Sequence, residues 1–293
     1  MVAIGMTDGQ GRTRMKLVIG KHAGFCFGVK RAAEEAYKCL DAGIACVTLG
    51  PLIHNPQEVE RLRQAGIASV DSPAKVKPGE TLILRSHGVA PEIYQEARER
   101  GIPVIDATCP HVAAIHRLVR EYSESRDAVI IVGEADHPEV RAIAGWAGST
   151  VYIFNEPEQV RRTALPGRAL VVAQTTIKRE RFESVLEEIR LKVPDLTVRN
   201  TICAATSQRQ EEAEKLSASA DVMIVVGGHN SSNTNKLYET CRQRCRRSYL
   251  IETADEIPAE AIGETDTVAL TAGASTPQWL LNEVAERLNS LFS

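Results

Sequence analysis

No stretch of the sequence reaches the run of about 18 apolar residues that a membrane-crossing helix requires, so no membrane association is expected. Met1–Arg14 is polar and Gly-rich and has no apolar core of the kind a secretory signal carries. Residues 1–15 are therefore expected to be a disordered extension, and the protein to be cytoplasmic. Basic charge is not in excess. Lys and Arg total 35 against 38 Asp and Glu, a net charge of -3, which leaves no field suited to nucleic acid. A Walker loop, a dinucleotide-binding Gly-rich turn and a kinase signature are all missing, so no nucleotide is inferred. The seven cysteines are an odd number in a long chain without a signal, which argues against a disulfide framework.

What is present is an ordinary globular composition, 43% hydrophobic and 25% charged over 293 residues. That length has room for two or three domains of about 100–150 residues each. Buried-strand signals (Leu17–Ile19, Ala45–Leu49, Thr81–Leu84, Val104–Ile105, Ala128–Val132, Val151–Phe154, Ala169–Ala173, Val222–Val226, Val268–Leu270) alternate with amphipathic stretches. Helices are expected over Val29–Leu40, Val112–Tyr122, Ser207–Leu216 and Pro277–Leu291, and one is expected between Pro91 and Gly101. Alternating β and α signals predict parallel sheets with right-handed crossovers, an α/β fold.

Three turns share one layout of strand, turn, cysteine and helix, at Cys26, Cys109 and Cys203. A cysteine at a helix N-terminus faces free N–H groups and the positive end of the dipole, which favour a thiolate. The spacing repeats. From Cys26 to His54 is 28 residues, from Cys109 to His137 is 28, and from Cys203 to Asn230 is 27. A third landmark follows a strand in each part: His87, Thr175 and Ser275, lying 61, 66 and 72 residues after the respective cysteines. The sequence thus reads as three related α/β units, 16–109, 110–202 and 203–293, with the first strand able to pack with the third unit. Packed around a pseudo-threefold axis, they would aim three thiolates and three sets of polar loops at one central cavity.

Three cysteines far apart in sequence do not make a zinc knuckle, whose ligands come in close pairs. They suit a cubane iron–sulfur cluster, and with no fourth cysteine in the pattern one iron stays open as a Lewis acid. His54, His87 and His137 at strand ends, with Ser231, Ser232, Asn233 and Ser275, form a donor set suited to a phosphate or diphosphate. Glu139 is the best-placed carboxylic acid for proton delivery, although the helix dipole alone also favours a Glu there. Cys39 and Cys46 read as buried inert thiols. Cys241 and Cys245 share a helix face and could pair on a metal, but no other soft ligand lies close by in sequence. On this reading a reductase, a three-cysteine-cluster hydro-lyase acting on another small phosphorylated substrate, and a non-catalytic iron–sulfur sensor all stay open.

The same residues resemble the 4-hydroxy-3-methylbut-2-enyl diphosphate reductase family, which closes the methylerythritol phosphate route to isoprenoids. The resemblance runs from about Lys16 through Gly24-Phe-Cys26, Gly28-Val29, His54-Asn55, Ser86-His87-Gly88-Val89 and Asp106-Ala-Thr-Cys109-Pro110. It continues through His137-Pro-Glu139-Val140, Gln174-Thr175-Thr176, Ile202-Cys203-Ala-Ala-Thr206, Asn230-Ser-Ser-Asn233 and Thr271-Ala-Gly-Ala-Ser275. It implies a three-domain fold around one 4Fe-4S cluster with three Cys ligands, Cys26, Cys109 and Cys203, and an open iron. It further implies that His54, His87, His137, Ser231, Ser232, Asn233 and Ser275 hold the substrate diphosphate. Thr175 would lie by the substrate hydroxyl, and Glu139 would be the proton donor. The expected reaction is reductive dehydration to isopentenyl and dimethylallyl diphosphate, with an external one-electron donor such as ferredoxin or flavodoxin. Phe27, Ala204, Glu134, Asp136 and Arg141-Ala142 depart from the family pattern, and the acids at 134 and 136 would favour a protonated His137.

Overall fold

The computed structural model describes residues 2–4, 15–124, 127–148 and 150–292. Its strands are β1 (Val2–Ile4), β2 (Lys16–Ile19), β3 (Cys46–Leu49), β4 (Ala68–Val70), β5 (Thr81–Leu84), β6 (Val104–Asp106), β7 (Ala128–Val132), β8 (Val151–Phe154), β9 (Arg168–Ala173), β10 (Asp195–Val198), β11 (Val222–Val226), β12 (Ser248–Ile251) and β13 (Thr267–Ala272). Its helices are α1 (Phe27–Asp41), α2 (Pro56–Gln64), α3 (Pro91–Glu99), α4 (Pro110–Ser123), α5 (Pro138–Gly145), α6 (Pro157–Arg161), α7 (Arg179–Arg190), α8 (Ala204–Ser217), α9 (Ser232–Arg244) and α10 (Gln278–Leu291).

The strands form three sheets, ordered β4-β3-β5-β6, β8-β7-β9-β10 and β12-β11-β13-β2-β1, and every pairing is parallel except β1 with β2. Behind the numbering is one plan used in all three. Each sheet runs second strand, first strand, third strand, fourth strand. In the third sheet the fourth strand is β2, taken from the start of the chain, where Lys16 lies beside Thr267. Order reverses between first and third strands, so the loops after β3 and β5, after β7 and β9, and after β11 and β13 stand at topological switch points. Those are the places where open α/β sheets hold ligands. Each fourth strand leads to one of the three cysteines.

Central strands are apolar on both faces because helices cover both. β7 sends Ala128, Ile130 and Val132 into a core with Phe182, Val185, Leu186 and Ile189 of α7. Its alternate residues Val129 and Ile131 meet Ile115 and Val119 of α4 and Val140 and Ile143 of α5 on the other side. β11 repeats the arrangement, with Val222, Ile224 and Val226 against Leu280, Leu281, Val284 and Leu288 of α10 and Met223 and Val225 against Leu237 and Cys241 of α9.

The chain divides into two compact units. One comprises Met1–Phe27, His54–Glu60 and Ala204–Ser293; the other comprises Gly28–Ile53 and Arg61–Cys203. The first two sheets therefore share a unit, and no unit boundary falls at the expected 109–110. The first strand joins the third sheet. The segment His54–Glu60 belongs with it as well, which the sequence did not suggest. The disordered extension expected over 1–15 is not met where the residues are described. Val2–Ile4 add an antiparallel edge strand to β2, and Met15 is buried with Leu17 in the core against α10. Residues 1 and 5–14 lie outside the described residues. No helix among the described residues is long and apolar enough to cross a membrane.

Candidate active site

The three cysteines singled out by spacing are tied down in the same way. Each backbone N–H donates to a carbonyl in the loop after the third strand of its own sheet. Cys26 N–H bonds to Ala274 O at 3.0 Å, Cys109 to Ser86 O at 2.9 Å, and Cys203 to Thr175 O at 3.0 Å. These carbonyls belong to, or immediately precede, the third landmarks Ser275, Thr175 and His87, so the repeat read from spacing reappears as three equivalent hydrogen bonds. All three thiols are partly exposed, whereas Cys39, Cys46, Cys241 and Cys245 are buried. Burial pushes the Cys46 and Cys241 thiols up to about 12, and Cys245 Sγ points at backbone carbonyls of Asp221 and Arg247. These four are packing thiols.

Two residues to which the sequence reading gave no role hold the Cys109 turn. A Cβ on Gly28 would lie 2.4 Å from Cys109 Sγ, so only glycine lets the start of α1 approach the thiol. The signal was present as the Gly two places after Cys26. Arg31, one turn further along α1, donates to Thr108 O at 2.8 Å and Asp106 O at 3.1 Å. Among the described residues no group of three His, Cys, Asp or Glu side chains is placed to hold a metal ion. Cys109 and Cys203 lie in one unit, and Cys26 in the other.

In the unit holding the first two sheets, His87, His137, Glu139 and Thr175 come together. His87 and His137 meet edge to face with ring centroids 5.7 Å apart. The His87 loop is fixed from behind by Trp146, whose Nε1 donates to Val89 O at 2.9 Å. His137 caps α5, its Nδ1 accepting the Glu139 N–H at 3.2 Å. Nδ1 is therefore an acceptor, and the hydrogen of the ring sits on Nε2. The expected protonation of His137 by its neighbours is not supported at Asp136, whose side chain is 96% exposed and turned to Arg141 Nη2 at 2.6 Å. Glu139 is only 2% exposed. Both its oxygens are engaged by Thr175, Oε1 by the N–H at 2.6 Å and Oε2 by Oγ1 at 2.7 Å.

The other unit gathers His54, Ser231, Asn233 and Ser275. Ser275 Oγ donates to His54 O at 2.9 Å and faces Ser231 Oγ at 3.5 Å. Ser231 caps α9 and accepts from Thr234 N–H at 3.3 Å. Asn55 caps α2 through Oδ1, which accepts from Glu58 N–H at 2.8 Å, and Glu58 in turn takes the Trp279 Nε1–H at 2.7 Å. Ser232 Oγ accepts from Lys236 Nζ at 2.8 Å. Asn233 is 5% exposed, yet among the described residues neither its Oδ1 nor its Nδ2 has a hydrogen-bond partner. A buried amide left open in both senses, beside a helix N-terminus, is what a polar ligand would complete.

A family model described as LytB protein matches residues 17–289. The 4-hydroxy-3-methylbut-2-enyl diphosphate reductase of Caldanaerobacter subterraneus subsp. tengcongensis is 42% identical over 281 residues, covering 94% of this chain and 98% of that protein. The protein of the same name from Trichlorobacter lovleyi is 43% identical over 277 residues, covering 94% and 99%. Among solved structures, (E)-4-hydroxy-3-methyl-but-2-enyl diphosphate reductase, titled the terminal enzyme of the non-mevalonate pathway, matches with TM-score 0.72 at 42% identity over 94% of this chain and 99% of that one. The E-1-hydroxy-2-methyl-but-2-enyl-4-diphosphate reductase from Plasmodium falciparum matches with TM-score 0.87 at 27% identity over 96% and 89%. With likeness of this extent in sequence and fold alike, the chain belongs to the LytB protein family.

Proposed function

We propose that this member of the family is an oxidoreductase that reductively dehydrates 4-hydroxy-3-methylbut-2-enyl diphosphate to isopentenyl and dimethylallyl diphosphate, drawing electrons singly from an external donor of the ferredoxin or flavodoxin class. The observation that carries this reading is the junction at Thr175. Its carbonyl holds the Cys203 N–H, while its hydroxyl and N–H clasp Glu139. One residue thus links a thiol suited to metal with a buried acid.

Cys26, Cys109 and Cys203 fit a 4Fe-4S cluster as a donor set: three partly exposed thiols at helix starts, equivalently anchored, with Gly28 leaving room at Cys109 Sγ. When bound, such a cluster supplies electrons one at a time and an open iron as Lewis acid. The chain's own groups do the remainder. Glu139, nearly without water contact, takes up a proton at Oε2; Thr175 Oγ1 then accepts it and turns its own hydrogen from Oε2 to the substrate hydroxyl, so that water rather than hydroxide leaves. His137 offers Nε2–H, and with His87 forms one arm of a diphosphate clamp. His54, Ser231, Ser232, Asn233 and Ser275 form the other arm. Ser232 can join it while accepting from Lys236 Nζ, because its own hydrogen stays free to donate.

The test is turnover of the anaerobically purified protein with and without a chemical reductant. Reductant-dependent formation of both isomeric diphosphates is expected. Dehydration or hydration without reductant would replace this reading with a hydro-lyase, and absence of bound iron would overturn the cluster.

A further inference from the structure

The unit holding the first two sheets carries a cavity lined by none of His87, His137, Glu139 and Thr175. It measures about 340 Å³, and its walls include Gly50, Asp71, Arg85, Pro138 and Arg141. Arg85 directly follows β5. Its Nε is buried without a hydrogen-bond partner, and among the described residues its guanidinium forms no ion pair with a carboxylate. Burial, and after it the charge of Arg141, push the Arg85 guanidinium below its usual range. Arg141, on α5, has a mostly exposed side chain and one carboxylate partner, Asp136. The carboxylate in the lining, Asp71, is held by Lys75 at 2.7 Å and is exposed. Gly50 (φ +64) would place a Cβ 3.2 Å from Arg85 Nη1, so the missing side chain leaves the guanidinium open on that side.

A desolvated guanidinium that has no carboxylate partner and shares its cavity with another guanidinium is unfavourable unless an anion joins them. We propose that this cavity is an anion site that takes a small phosphoryl dianion between Arg85 and Arg141. Two planar forks match the several oxygens of a tetrahedral oxyanion. The volume admits inorganic phosphate or a small phosphomonoester. Pro138 and Arg141 belong to the helix whose first turn carries Glu139, so the bound anion would brace that helix without touching the substrate.

Inorganic phosphate and glycerol phosphate are titrated calorimetrically into the full chain in low-chloride buffer, with melting curves in parallel. His54→Ala, which weakens the diphosphate clamp, should keep the cavity's own binding step, since His54 lies outside the cavity, and both it and the parent should melt higher with the anion. Arg85→Met and Arg141→Ala should each weaken binding by about tenfold or more, the loss of charge-assisted hydrogen bonds. Arg141 is exposed, so its variant keeps the test alive if Arg85→Met does not fold. Arg141→Glu supplies a tethered carboxylate; it should melt higher than the parent without phosphate and no longer respond to phosphate. Tighter binding of glycerol phosphate would assign the site to phosphomonoesters, and tighter binding of phosphate to the free ion. Parental affinity in both arginine variants, loss of binding in His54→Ala, or no melting gain in Arg141→Glu would overturn the proposal.

Discussion

Replacing Glu139 with Gln turns one carboxylate oxygen into an amide NH₂ and removes the proton that the side chain can hold. The geometry says how the clasp would rearrange. Thr175 N–H has only a donor to offer, so the amide oxygen must stay at the Oε1 position, 2.6 Å away. The NH₂ then faces Thr175 Oγ1, whose hydrogen Oε2 accepted at 2.7 Å, and the hydroxyl must reverse and point its hydrogen elsewhere. Both contacts survive as neutral hydrogen bonds. Exchanging charge-assisted for neutral bonds costs about 1 kcal/mol each, and a lost first-turn carboxylate costs about 0.3–1 kcal/mol more. Melting should therefore fall by several degrees, at about 2–4 °C per kcal/mol for a chain of this size. Turnover should fall much further, by about 10²–10⁴-fold, because the amide cannot release a proton. Anaerobic turnover with a chemical reductant, an iron count and a melting curve on the same preparation separate the two effects. Turnover within about twofold of the parent, far below the range of positioned acid catalysis, would remove Glu139 from the reaction.

Cys26→Ser, Cys109→Ser and Cys203→Ser should each lose most bound iron, because serine is a hard ligand, whereas Cys241→Ser should keep it; equal iron loss in all four would refute the assignment. Gly28→Ala drives a methyl into Cys109 Sγ and should lower iron content and melting temperature with every cysteine intact. Asn233→Ala and His54→Ala should weaken pyrophosphate binding by about 10–150-fold for one charge-assisted hydrogen bond, with iron content and spectra unchanged. Burial holds the His116 imidazole down to about 4. The unfolded chain therefore takes up this proton first, and stability present above about pH 6.5 is lost as pH falls toward 4, by at most about 3 kcal/mol. Urea melts at pH 7.5 and 5.0 should show that loss in the parent and less of it in His116→Gln.

The central strands were legible because both of their faces are buried: Ala128–Val132 and Val222–Val226 are apolar throughout and appear where expected. The strands missed in the sequence are β1, β4, β10 and β12, all at sheet edges. Ala68–Val70 and Asp195–Val198 keep exposed, polar positions there, and short mixed segments carry no periodic signal. Of the candidate site, the three cysteines and the three strand-end landmarks were legible because a repeated fold places the same loop at the same distance in sequence. The Glu139–Thr175 clasp, 36 residues apart, was anticipated only as a neighbourhood. His54, Ser231 and Ser275 were grouped as donors, but that the whole segment His54–Glu60 packs with the third sheet's unit was not legible, since it rests on contacts between distant segments that leave no local pattern.

Borrowing the third sheet's fourth strand from the start of the chain sets an order of assembly. The loops of Cys109 and Cys203 find their carbonyl partners among residues already synthesised. The Cys26 N–H waits for Ala274 O, and β2 waits for β13. At typical rates of synthesis that interval is roughly 10–50 s. Throughout it an apolar strand and a thiol with a cluster ligand's spacing remain unpaired near the emerging N-terminus. Pairing β2 with β13 closes a loop that spans most of the chain, and such a contact is entropically slow to make. The first thiol synthesised is thus the last to be set in place, and truncation near the C-terminus should leave its turn unformed while the other two are built.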